Sequence, residues 1–278
     1  MNHAMNTPEP PPGRPKAASA PSGGSEPHAV GSVGALLLEA KGLQAWYGAA
    51  QILYDVDLQV RRGEVVALMG RNGAGKSTTL KALMGMCAKR RGEIRFLGHD
   101  ISRTEPYHAA RLGLGFVPED RRVFTDLTVM ENLEVGRQPA RAPVPGMAHG
   151  AAAPVWTPER LFTLFPNLGE MPQRPGGRMS GGEQQMLTVA RTLMGNPYLV
   201  LLDEPSEGVA PVIVEQMAHM ILELKKQGVS ILLSEQNMHF AELVSDRAYV
   251  LEKGQIRYQA SMAELAANDE VRRAYLSV

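Results

Sequence analysis

Five apolar residues, Val65-Val66-Ala67-Leu68-Met69, run directly into Gly70-Arg71-Asn72-Gly73-Ala74-Gly75-Lys76-Ser77-Thr78, and a helical pattern of Leu80, Leu83 and Met84 follows. A short unbroken apolar run suits a strand covered on both faces. The glycines let backbone amides converge on an anion at the start of the next helix, where the dipole also favours negative charge. An α/β fold is therefore expected, with strand, loop and helix forming a phosphate cradle from Gly70 to Thr78. In such a cradle Lys76 reaches the β and γ phosphates of ATP, and the Ser77 hydroxyl ligates Mg²⁺.

A second apolar run, Tyr198-Leu199-Val200-Leu201-Leu202, ends in Asp203 and Glu204, and a third spans Ser230 to Leu233. Both suit buried parallel strands of the same sheet. Ligands of open α/β sheets sit beyond the carboxyl ends of the strands, so the two acids arrive beside the glycine-rich loop. Asp203 suits the Mg²⁺ shell and Glu204 suits an attacking water. Ahead of the loop, Ile52, Tyr54, Val56, Leu58 and Val60 alternate with more polar residues. That spacing predicts a small antiparallel β region between Leu36 and Val60, with these five side chains on one face.

Residues about 120 to 195 read mostly as helix, with separate pieces at Leu127 to Val135 and Pro158 to Phe165. Pro139, Pro143, Pro145, Gly146 and Gly150 predict a surface loop inserted at about 138–157. Residues 1–33 are crowded with Pro, Gly, Ser and Ala, which predicts a disordered tail ahead of a domain at 34–278. Lysine plus arginine equal aspartate plus glutamate at 29 each, so no general attraction to nucleic acid is expected. The single cysteine, Cys87, excludes an internal disulfide and reads as a small buried apolar residue. No window reaches the ~18 consecutive apolar residues of a membrane helix. Gly31, Ser32 and Gly34 interrupt the one stretch that would otherwise suggest a secretory signal.

Met179-Ser180-Gly181-Gly182-Glu183-Gln184-Gln185, ahead of Ala190-Arg191, resembles the LSGGQ signature of ABC ATPases, with Met in place of the first Leu. The cradle is then the family's Walker A and Asp203-Glu204 its Walker B, in the family's order. The resemblance extends from about Leu36 to the C-terminus. It implies an ABC ATPase nucleotide-binding domain with a Walker-type parallel core sheet, an N-terminal antiparallel β region and a helical subdomain. It also implies two ATPase subunits sandwiching two ATP molecules head to tail, so that Ser180, Gly181, Gly182 and Glu183 face the nucleotide held by the partner. Tyr47 matches the aromatic that stacks on adenine. Glu119 stands for the Q-loop glutamine, Ala210 for the D-loop aspartate and Gln236 for the switch histidine.

These three departures resemble the second ATP-binding subunit of branched-chain amino-acid importers, the LivF type. So do Arg121-Arg122-Val123-Phe124, Asp203-Glu204-Pro205-Ser206-Glu207-Gly208 and Val271-Arg272-Arg273-Ala274-Tyr275-Leu276. The resemblance implies a homologous second ATPase subunit, two transmembrane permease subunits and, indirectly, a periplasmic substrate-binding protein. It puts the chain on the cytoplasmic face of a bacterial inner membrane. Charges around Arg121, Arg122 and Glu131 are expected to line the groove for a permease helix. Urea and amide importers share several of these features and stand as alternatives for the cargo. A soluble ABC ATPase of DNA repair or translation would normally carry two cassettes or a long coiled-coil insertion, and a basic surface.

Overall fold

The computed structural model describes residues 34–141 and 155–276; the expected tail at 1–33 and residues 142–154 of the expected loop lie outside them. Ten strands occur in chain order: β1 (Leu36–Tyr47), β2 (Ala50–Arg61), β3 (Val65–Met69), β4 (Lys89–Phe96), β5 (His99–Asp100), β6 (Leu114–Val117), β7 (Leu199–Asp203), β8 (Ser230–Glu235), β9 (Arg247–Glu252) and β10 (Gln255–Ser261). The helices are α1 (Lys76–Met84), α2 (Pro106–Leu112), α3 (Val129–Gly136), α4 (Pro158–Leu164), α5 (Pro166–Gly169), α6 (Gly181–Leu193), α7 (Pro211–Lys226), α8 (Met238–Val244), α9 (Met262–Ala267) and α10 (Asp269–Val271). Strands β2-β1-β4-β5 form an antiparallel sheet. A second sheet, in the order β10-β9-β3-β8-β7-β6, is parallel except for β10.

Every residue of β3, β7 and β8 is buried, as their unbroken apolar runs require. Val65, Ala67 and Met69 belong to one core with residues of α6 and α7, including Leu187, Met217 and Ile221. Val66 and Leu68 belong to the other, with Leu58 of β2 and Leu80 and Leu83 of α1. The parallel sheet is thus the middle layer. Each fully buried Leu, Ile or Val of this layer contributes about 1.5–3 kcal/mol. Among the described residues no helix is long and apolar enough to cross a membrane.

The antiparallel region is present, but its phase differs from the expected one. Leu53, Val56, Leu58 and Val60 are buried, whereas Ile52 is only half-buried and Tyr54 is 40% exposed. The cause is a bulge. Ala45 pairs with Leu53 but Leu43 pairs with Val56, and Asp55 takes up the extra residue at φ 50°. Gln44 donates to the Asp55 carboxylate at 2.6 Å and holds it outward. Helix α3 starts two residues later than the periodicity suggests, because Thr128 and Glu131 form a reciprocal capping box ahead of Val129.

The turn entering α3 is held by one fully buried amide. Asn132 donates through Nδ2 to the carbonyls of Phe124 (3.0 Å), Leu127 (3.1 Å) and Thr128 (2.9 Å), and its Oδ1 accepts from the Phe124 amide at 3.0 Å. Replacement by an isosteric apolar residue leaves these main-chain groups facing hydrocarbon. Asn132→Leu is expected to destabilise the domain by about 3 kcal/mol. A urea titration checks this: the midpoint should fall with an unchanged slope, and a wild-type midpoint would refute the assignment.

Candidate functional site

The parallel register brings the carboxyl ends of β3, β7 and β8 side by side, with Asp203 opposite Ser234 and Met69 opposite Glu235. The glycine-rich loop leaves β3 there and enters α1 at Gly75. Gly75 sits at φ 109° and no side chain caps the helix, so the first-turn amides stay available to an anion. Gly254, in the β9–β10 turn, braces the loop from behind: its amide donates to the Ala74 carbonyl at 2.8 Å, and its carbonyl accepts from the Tyr54 amide at 2.8 Å. A Cβ at Gly254 would come within 1.9 Å of the Ile52 carbonyl oxygen, which leaves room for glycine alone.

Lys76 is 3% exposed. Its Nζ donates to the carbonyls of Gly70 (2.8 Å) and Arg71 (3.2 Å) and lies 3.0 Å from Glu204 Oε1. The two acids at the end of β7 face different surroundings. Burial pushes the Asp203 carboxyl up, against hydrogen bonds from the Ser234 and Ser77 hydroxyls. Burial pushes Glu204 up as well, but hydrogen bonds to Glu207 and Lys76, with the lysine charge, bring it below the usual carboxylate range. Glu204 itself has φ 46°, an uncommon backbone state for a residue with a side chain. Its amide is held by the carbonyl (3.1 Å) and hydroxyl (3.0 Å) of Ser234.

Asn72, Gly73, Gly75, Lys76, Ser77, Thr78, Glu119 and Glu204 line one pocket of about 420 Å³, joined by Ile52 and Glu207. Gly70, Arg71 and Ala74, also expected to bind ATP, are not in this lining. The side chains of Ser77 and Asp203 are hydrogen-bonded to each other, a hard oxygen pair that fits Mg²⁺. Among the described residues no cluster of three or more His, Cys, Asp or Glu resembles a dedicated metal cage.

Sequence reasoning assigned no chemistry to Ser234, Glu207 or Glu235. Glu207 is pushed up to about 7, first by its hydrogen bond with Glu204, then by burial and by the charges of Glu204 and Glu119. Its other oxygen lies 3.4 Å from Gln236 Nε2. Gln236 cannot titrate, yet the carboxyl beside it does so near neutrality. The only sequence signal was the density of acids in Asp203-Glu204-Pro205-Ser206-Glu207.

Ser180 caps α6, and Ser180 and Glu183 form a reciprocal capping box: the Ser180 amide donates to Glu183 Oε2 at 2.7 Å, and the Glu183 amide donates to Ser180 Oγ at 3.3 Å. Ser180, Gly181, Gly182 and Glu183 are absent from the pocket lining, as are Tyr47 and Gln236. Tyr47 ends β1 and is 51% exposed, while the neighbouring Trp46 is covered by Lys89 and Arg91, at 4.8 and 5.6 Å from its ring. Ala210 stands at the N-cap of α7 without a side-chain bond.

A second cavity, of about 510 Å³, opens beside α2, β6, α3 and α6, with exposed Met86, Tyr107, Phe124 and Val135 in its lining together with Arg111 and Arg191. Arg121, Arg122 and Glu131 are not among its lining residues. Glu131 is consumed by the Thr128 capping box, and Arg122 pairs with Asp120 at 2.8 Å. Both arginines sit at positive φ, 62° and 52°, in a tight turn. The Arg121 carbonyl accepts from the Thr188 hydroxyl at 2.6 Å and the Arg122 carbonyl from Arg191 at 2.8 Å, which leaves Phe124 to face the groove.

The family profile described as ABC transporter matches residues 53–207. The chain is 42% identical over 234 residues, 84% of its length and 97% of the relative's, to the high-affinity branched-chain amino acid transport ATP-binding protein BraG of Pseudomonas aeruginosa. It is 32% identical, over 86% of its length and 97% of the relative's, to the lipopolysaccharide export system ATP-binding protein LptB of Haemophilus influenzae. A crystal structure of a nucleotide-free ATP-binding cassette from an ABC transporter superposes with a TM-score of 0.68 at 26% identity, covering 85% of this chain and 97% of that one. The pocket at the strand ends, the mixed α/β layers around it and these likenesses agree: the chain belongs to the ABC transporter family as an ATP-binding, ATP-hydrolysing subunit.

Proposed function

We propose that this chain energises import of branched-chain amino acids, paired with a homologous ATPase subunit beneath two membrane permeases that a periplasmic binding protein supplies. Domain 34–278 is the working unit, with its helical subdomain at about 120–195, on the cytoplasmic face of a bacterial inner membrane. The reading is supported by the likeness to BraG together with Glu119, Ala210 and Gln236, the three departures of the LivF type. Urea and amides are the alternative cargoes, because importers of those solutes share several of the same residues. Deleting the gene should abolish uptake of labelled leucine, isoleucine and valine while leaving urea uptake intact. The reverse pattern would overturn the cargo.

The chemistry rests on the buried Lys76–Glu204 pair. Lys76 cannot serve a phosphate and Glu204 at once, so an arriving nucleotide exchanges one anion for another and frees the carboxylate. Glu204 then accepts a proton from the attacking water, and Gln236 donates through its amide to the γ-phosphate. Ser77 and Asp203 would hold Mg²⁺, which would supply charge neutralisation to the phosphates. Tyr47 stacks on adenine, Gly70 to Thr78 cradle the phosphates, and Ser180, Gly181, Gly182 and Glu183 serve the partner's nucleotide. Lys76→Ala is expected to abolish tight ATP binding, and Glu204→Gln to keep binding while slowing turnover by about 10²-fold or more. Nucleotide titration and steady-state hydrolysis separate the two roles. Unchanged affinity in the first variant, or wild-type turnover in the second, would refute the corresponding assignment.

The apolar groove beside α2, α3 and α6 takes the permease helix. Phe124, Tyr107, Val135 and Met86 offer a hydrophobic floor that water covers poorly, and the Arg111 and Arg191 guanidiniums suit acidic residues on that helix. Cysteines placed at Val135 or Tyr107 are expected to crosslink to a permease in a transport-competent complex. Crosslinks only from Arg122 or Glu131 would reject the groove.

A further inference from the structure

Glu235 has no part in the mechanism above, yet it is 1% exposed and pairs with no lysine or arginine among the described residues. Main-chain amides meet its charge. Oε1 accepts from the Ser206 amide at 3.1 Å, and Oε2 accepts from the amides of Gln236 (3.1 Å) and Asn237 (3.2 Å). The Ser206 side chain adds a further hydrogen bond. Burial pushes this carboxyl up, and the hydrogen bonds oppose it. A buried acid without a cation is costly, so a position needing only packing would carry an apolar side chain.

What these bonds join is specific. Ser206 lies in the loop 205–210 that leaves Glu204, whereas Gln236 and Asn237 open the turn into α8, where Asn237 caps the helix through the Phe240 amide at 3.1 Å. The β7–β8 ladder ends at Asp203 and Ser234. Beyond it, Glu235 continues the connection through a side chain. We propose that Glu235 is a positioning residue that yokes loop 205–210 to Gln236 and so fixes the place of the group facing the γ-phosphate. The proposal rests on the reading that Glu204 and Gln236 act on bound nucleotide.

The test compares ATP affinity and steady-state hydrolysis of the complex assembled from the full-length chain, its homologous ATPase and the permeases, for Glu235→Gln, Glu235→Asp, Gln236→Ala and the double variant Glu235→Gln/Gln236→Ala. Glutamine keeps the volume but turns an NH₂ toward amide donors, so kcat should fall about tenfold with ATP affinity within about twofold of wild type. Aspartate still reaches the Gln236 and Asn237 amides but falls short of Ser206, so kcat should fall about fivefold. This smaller change carries the test if the glutamine variant does not fold. In the double variant kcat should match Gln236→Ala within about twofold, because the yoke has nothing left to position. Wild-type kcat in the aspartate variant, fully multiplicative losses in the double variant, or affinity falling in step with kcat would each overturn the proposal. Should Gln236→Ala alone turn over like wild type, the reading of Gln236 fails, and the yoke with it.

Discussion

The parallel pairing of β3 with β8, and of β8 with β7, is the constraint on which the rest depends. It aligns three chain segments far apart in sequence so that the glycine-rich loop, the acidic pair and the Gln236 turn all leave the sheet at one edge. A one-residue slip would swap the side chains packed in the two cores and shift the polar strand ends along the sheet, so packing on both faces holds that register. The apolar runs that made these strands recognisable are therefore also what aims the polar residues at their ends.

Placing charges at such an edge is expensive, and the chain answers the cost in a different way for each group. Lys76 and Glu204 neutralise one another across 3.0 Å and spend their remaining capacity on two carbonyls and on Glu207. Asp203 leans on two hydroxyls, and Glu235 on main-chain amides. A paired lysine and a hydroxyl-bonded aspartate can be released to a ligand by small rotations. An acid gripped by the amides of two loops cannot, so on the proposals above Glu235 suits a frame and Lys76 and Glu204 suit groups that exchange partners.

Much of this was legible in the residues. The strand runs, the cradle and the Asp203-Glu204 end needed only local pattern, because strand burial and glycine spacing are local properties. Ile52 and Tyr54 were misphased because a bulge at Asp55 inserts one residue, and its cause, the bond from Gln44, lies across the hairpin rather than along the strand. The surroundings of Arg121, Arg122 and Glu131 were hidden for a similar reason. Nothing in Arg121-Arg122 announces two consecutive left-handed residues, and Glu131 looks free until its cap is seen. Glu207 and Glu235 escaped notice because each also has a partner that the sheet alone brings near, Gln236 for Glu207 and Ser206 for Glu235, 29 residues away in sequence.

The two glycine-rich helix starts show how cap chemistry divides the labour. Helix α1 begins on Gly75 without a side-chain cap, and its amides are open to a phosphate bound by the same chain. Helix α6 begins on Ser180, whose oxygen accepts from the Glu183 amide, an arrangement that by itself looks like nothing more than a stable helix end. A serine hydroxyl that accepts one bond still has a hydrogen to give. On the functional reading proposed above, that hydrogen goes to the phosphate held by the partner, while Glu183 fixes the rotamer that aims it. Cap and signature are then one arrangement, and the capping box is what preorganises the donor.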